Sequence, residues 1–128
     1  MVRYRETMQP VAQTDRDAEQ IKGLLHRLRP DDRITVTSNQ NLNDGREMTV
    51  EAVVREKPPG YDEEYYRVRA RTSQQARDDE SGYYVLMPEK PEGKGNSPAP
   101  EAYHHSPNPE AKSRETTKGA ITKLALTA

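Results

Sequence analysis

The sequence predicts an α+β fold, with one N-terminal helix packed on a four- to five-stranded antiparallel sheet and a largely disordered C-terminal tail. Three observations carry this reading. Apolar residues recur at helical spacing in one early stretch, where Ala18, Ile21, Leu24, Leu25 and Leu28 form a single stripe. Four later segments, 33–38, 48–55, 65–73 and 83–87, alternate apolar and polar side chains between turn-forming residues. Beyond Met87 the chain turns to Pro, Gly, Ser and Asn, and five of the ten prolines lie in 91–128.

The helix is placed over residues 14–29. Thr14 or Asp15 can cap it, and Asp15, Asp17 and Glu19 suit the positive end of the helix dipole. Lys22, His26 and Arg29 take its polar side, and Pro30 ends it. Upstream, Val2, Tyr4, Glu6 and Met8 alternate with Arg3, Arg5 and Thr7, so residues 1–13 read as an arm or edge strand ended by Pro10.

The first two strands flank Asn39–Gly45. A two-residue Asp44-Gly45 turn would set Ile34 against Arg55. A three-residue loop with left-handed Gly45 sets Ile34 against Val54 and Val36 against Ala52. The second register is preferred, because it puts both apolar sets on one face. After the Pro58-Pro59-Gly60 turn, the third strand points Tyr66, Val68 and Ala70 to the core. The polar stretch Gln74–Gly82 reads as a loop. The fourth strand points Tyr84 and Leu86 inward. The folded domain thus covers 14–90. Residues 91–118 read as a flexible linker that cannot bury enough surface to offset its ordering entropy. Residues 119–128 regain apolar character: Ile121, Leu124, Ala125 and Ala128 fit a helical face, and 121–126 is also short enough for a strand, so the segment reads either as a frayed terminus or as a docking element, with Ile121, Leu124 and Leu126 the candidate docking residues for a partner or for the domain itself.

Composition narrows the function. The formal net charge is −1, with +2 over 1–30, −4 over 31–90 and +1 over 91–128, so no segment is a polybasic arm. Zero Cys excludes disulfides and thiolate chemistry. No run approaches the roughly 20 apolar residues that span a bilayer, and no apolar signal core follows Met1. No membrane association is expected, and the location expected is cytoplasmic or virion.

Enzyme motifs are missing: there is no Gly-x-Ser-x-Gly elbow, phosphate loop or dinucleotide fingerprint. His26 sits on the helix's polar side and His104-His105 in the proline-rich tail, so no catalytic residue, metal site or cofactor is assigned. The clusters Asp62-Glu63-Glu64 and Asp78-Asp79-Glu80 lack the spacing of a calcium loop and read as solvated turns.

One row of residues is specific. Tyr65, Arg67, Arg69 and Arg71 alternate along the third strand, so they share its outer face. Arginines beside aromatic rings suit phosphate contact and base stacking, which makes this row a candidate nucleic-acid surface. The opposing reading is cross-strand neutralisation. If Val54 meets Tyr66, Glu51 faces Arg69.

The run Leu28-Arg29-Pro30-Asp31-Asp32-Arg33-Ile34-Thr35-Val36-Thr37-Ser38 resembles the opening of small SH3-like barrels. The balance of Arg over Lys, many Asp and Glu, and Thr/Val strands is similar to that of small uncharacterised proteins of haloarchaea or their viruses. The resemblance implies that the sheet curls into a small barrel; it implies no site residues. The expected function is a non-enzymatic interaction module, a structural or assembly accessory with a protein partner. The alternative is nucleic-acid association through Tyr65, Arg67, Arg69 and Arg71.

Overall fold

The computed structural model describes residues 18–89, 100–108 and 114–127. The proposed N-terminal strand, the start of the predicted helix and the rest of the predicted linker lie outside these residues. Helix α1 (Ala18–Leu25) is followed by β1 (Arg33–Ser38), β2 (Arg46–Glu56), β3 (Tyr65–Arg71), α2 (Ser73–Arg77), β4 (Tyr83–Met87), β5 (Glu101–His105) and β6 (Glu115–Thr127). Each strand pairs antiparallel with the next, and β6 returns to pair with β1, closing a six-stranded barrel. The barrel expectation holds. The strand count does not, because two strands come from the segment read as linker and terminus. Closure leaves β1 and β5 with a neighbour on both sides.

The helix stripe lies where its spacing placed it. Ile21, Leu24, Leu25 and Leu28 are buried in one cluster with Ile34, Val36, Met48, Val50, Val68, Ala70, Tyr84 and Leu86. The helix ends earlier than Pro30 requires: Arg27 N–H donates to Leu24 O at 2.9 Å and Leu28 N–H to Leu25 O at 3.4 Å, tight turns that finish it at Leu25. Tyr66 Oη donates to Leu25 O at 2.9 Å and ties this end to β3.

Strand boundaries follow the alternation closely, but two registers differ. Ile34 lies opposite Met48 and Val36 opposite Arg46, not Val54 and Ala52. The reason is the competing neighbour. Past Ser38 the chain turns to β6, where Asn39 N–H donates to Ala120 O and Ala120 N–H to Asn39 Oδ1, both at 3.0 Å. The connection therefore widens. Asn41 is left-handed (φ 68°), Leu42 is buried, and Ser38 N–H donates to Leu42 O at 3.1 Å.

The second difference follows from a bulge at Glu51. Val50 stays in the core, but beyond the bulge Val53 packs on the core and Val54 lies beside Arg67 on the outer face. Val54 thus meets Arg67 instead of Tyr66, and Ala52 rather than Glu51 meets Arg69.

Between β3 and β4 the predicted loop contains α2 and a 3₁₀ turn, Asp79–Ser81. Thr72 and Gln75 form a reciprocal capping box: Gln75 N–H donates to Thr72 Oγ1 at 3.2 Å, and Thr72 N–H to Gln75 Oε1 at 3.0 Å. Gly82 (φ 76°) then turns the chain into β4, and a side chain there would strike the carbonyl oxygen of His105.

Candidate functional site

The outer face of β2–β6 carries a second buried cluster, Val85, Met87 and Tyr103, against which Tyr65 and Tyr83 pack. Arg67 lies in it with 1% of its surface exposed. A guanidinium there survives only if its donors are matched. Arg67 Nε donates to Glu56 Oε2 at 2.7 Å and Nη1 to Glu115 Oε1 at 3.0 Å, while Nη2 donates to Glu115 Oε2 in a bidentate fork. Glu56 also accepts from Arg69, through Nη2 and, at 3.4 Å, through Nε.

Contacts run on around a ring. The Arg69 guanidinium carbon stands 5.2 Å, and that of Arg71 6.0 Å, from the centre of the Tyr83 ring. The opposite partner of Tyr83 is His105, stacked at 4.7 Å and 9°. His105 Nδ1 bonds Glu115 Oε2 at 2.9 Å, which returns to Arg67. Five strands therefore meet in one network: Glu56 from β2, Arg67 and Arg69 from β3, Tyr83 from β4, His105 from β5 and Glu115 from β6.

Burial would raise the pKa of both carboxylates, but their partners outweigh it. Hydrogen bonds and charges from Arg69 and Arg67 hold Glu56 below the ordinary glutamate value of 4.5. Arg67 and His105 do the same for Glu115. Burial also opposes the charge on Arg67, yet Glu115 and Glu56 raise its pKa. Tyr103 is pushed upward by burial and by Glu101, which accepts its hydroxyl at 2.9 Å.

A pH dependence follows. The folded state holds fewer protons on Glu56 and Glu115 than the unfolded chain does. Their stabilisation is therefore complete above about pH 4.5 and is lost as pH falls through the depressed folded values. Urea midpoints at pH 7, 5, 4 and 3 are expected to hold between 7 and 5 and then fall. A midpoint unchanged down to pH 3 would contradict the buried pairs.

The structure redistributes the residues singled out from sequence. Tyr65, Arg67, Arg69 and Arg71 share the outer face of β3, but not as a free cationic row. Arg67 is buried, Arg69 is held by Glu56, and Arg71 Nε lies 3.4 Å from Glu51 Oε1. Ile121, Leu124 and Leu126 are buried inside the barrel, where β6 pairs with β1, so the terminal segment docks on its own domain. His104 and His105 stand on β5, not in a linker. His104 Nε2 donates to Ser81 O at 2.7 Å, and His105 faces Glu115 on the other side of the strand. Among the described residues, no three His, Asp or Glu side chains are grouped to hold a metal ion, and no helix is long and apolar enough to cross a membrane. Sequence reasoning missed Glu56, His105 and Glu115 as network members. For Glu56 the usable signal was its opposite charge at the end of β2. For Glu115 it was the β-branched pair Thr116-Thr117, which suits a strand; for His105 there was none.

No protein-family model, curated protein or solved structure matches this chain.

Proposed function

We propose that the protein is a non-enzymatic interaction module that serves as a structural or assembly accessory, engaging a protein partner through the outside of the barrel. The observation that carries this reading is the fate of the arginine row. Its charges are taken up by Glu56, Glu115 and Glu51, so the face is balanced and does not attract a polyanion. The barrel interior supports the same reading, since it is occupied by apolar side chains from the helix and all six strands.

A second reading, nucleic-acid association, draws on Arg69 and Arg71. Both are part-exposed, at 35% and 24% of the side chain, and both lie over Tyr83. Fluorescence anisotropy with random-sequence DNA and RNA at two salt concentrations separates the two. The module reading expects no saturable binding at low salt by the wild type, and binding gained by Glu51→Arg through the added cation. Saturable wild-type binding that weakens by about 1.4–1.8 log units per tenfold rise in salt, as two phosphate contacts give, and that Arg69→Glu removes in a folded protein, would favour the nucleic-acid reading.

A further inference from the structure

The two halves of β6 are held by different chemistry. Ile121, Leu124 and Leu126 anchor its second half in the core. In the first half, Glu115–Gly119, the described side-chain anchors are polar. Glu115 binds Arg67 and His105, Thr117 Oγ1 donates to Glu101 Oε2 at 2.8 Å, and the Lys118 carbonyl accepts from Ser38 Oγ at 2.5 Å. The break between the halves is marked by Gly119 (φ 96°) and by a shift in the β5–β6 register between Thr117 and Ala120.

We infer that the first half of β6 is an acid-released segment: protonation of Glu115 frees it from Arg67 while the second half of β6 stays in the barrel. Charged and titratable groups reach Glu115 from each side of the network. These are Arg67 on β3 and His105 and Tyr103 on β5, with Glu56, Arg69 and Tyr83 one contact further. The sign of the response identifies the titrating group. A proton on the His105 imidazole adds a cation beside Glu115 and strengthens their contact. A proton on the carboxylate removes the anion that both Arg67 and His105 hold, and leaves Arg67 in a buried site with Glu56 as its remaining carboxylate.

Opening is read by amide hydrogen exchange on the full chain at pH 7 and pH 3.5, corrected for the intrinsic pH dependence of exchange. The open segment binds a proton that the closed one resists. One unit below the ordinary value of 4.5, linkage therefore gives up to about a tenfold rise in opening. That rise is expected for amides in 115–119, and not for those in 34–36, 48–50 or 124–126. In Glu115→Gln the same amides are expected to open more readily at pH 7 and to lose the response to acid. His105→Asn is expected to keep the acid response. A uniform change across all strands, no change, a wild-type response in Glu115→Gln, or a response abolished by His105→Asn would each overturn the inference. Should Glu115→Gln not fold, the wild-type profile and His105→Asn decide it.

Discussion

Deleting residues 119–128 is expected to abolish cooperative folding. The segment contributes Ile121, Leu124 and Leu126, all at most 4% exposed. Burial of each stabilises the fold by about 1.5–3 kcal/mol, so their sum is comparable to a typical net stability of about 5–15 kcal/mol. The deletion also removes the ladder from Arg33↔Thr127 to Ser38↔Ile121, which leaves β1 with an open edge on the side where it closes the barrel. Urea titration followed by tyrosine fluorescence and circular dichroism checks this. A truncated chain with a single sharp transition at the wild-type midpoint would show that β6 does not close the barrel.

Arg67→Ala is expected to destabilise the protein by about 3–5 kcal/mol, the range for breaking a buried ion pair from one side. Part of this is lost packing, because the Arg67 side chain is fully buried beside Met87. The variant leaves Glu115 buried, and Glu56 held by Arg69 alone among its described partners, with the shared cation gone. Arg67→Lys rescues only part, because an ammonium cannot supply Nε to one carboxylate and a two-nitrogen fork to the other. The pH profile distinguishes charge loss from a cavity. Without Arg67, burial of Glu115 is opposed by His105 alone among its described partners, so the fall in stability below pH 4.5 is expected to flatten. A simple cavity would lower the whole profile without changing its shape.

Much of the fold was legible because its signals are local. The stripe Ile21/Leu24/Leu25/Leu28 and the alternation of Tyr66/Val68/Ala70 and Tyr84/Leu86 require no knowledge of neighbours, and all of these side chains face the core as expected, Tyr66 from its rim. What failed depends on bulges and long-range pairing. Opposite the step from Thr37 to Ser38, β6 moves from Lys123 to Ile121, so Ile121 and Leu124 reach the same interior at a spacing of three. That spacing mimics a helix face, which is why the segment read equally well as helix or strand. The bulge at Glu51 likewise brings Val50 and Val53 to one side and shifts the predicted β2–β3 register by one residue.

The strand β5 was hidden for a different reason. Its residues, Glu101-Ala102-Tyr103-His104-His105, stand next to prolines, and average composition describes their surroundings rather than the strand itself. Val85 pairs with Tyr103 and Leu86 with Ala102, so the burial that orders β5 comes from β4. The arginine row shows the same limit. Its shared face was readable from alternation, whereas its electrostatic state depends on Glu56 at the far end of β2 and on Glu115, 48 residues beyond Arg67 in the chain.

The claim that this row is turned inward into a network binding β2, β3 and β6 is tested most directly by a double-mutant cycle on Arg67 and Glu115. Urea unfolding at pH 7 would be measured for the wild type, Arg67→Met, Glu115→Leu and the double variant. The network predicts that the double variant loses less stability than the two single losses added together, by at least about 2 kcal/mol. Each single variant strands a buried charge, whereas the pair removed together leaves apolar side chains of similar length. Additivity to within about 0.5 kcal/mol would mean that Arg67 and Glu115 do not act as a pair, and the internally neutralised face would be contradicted.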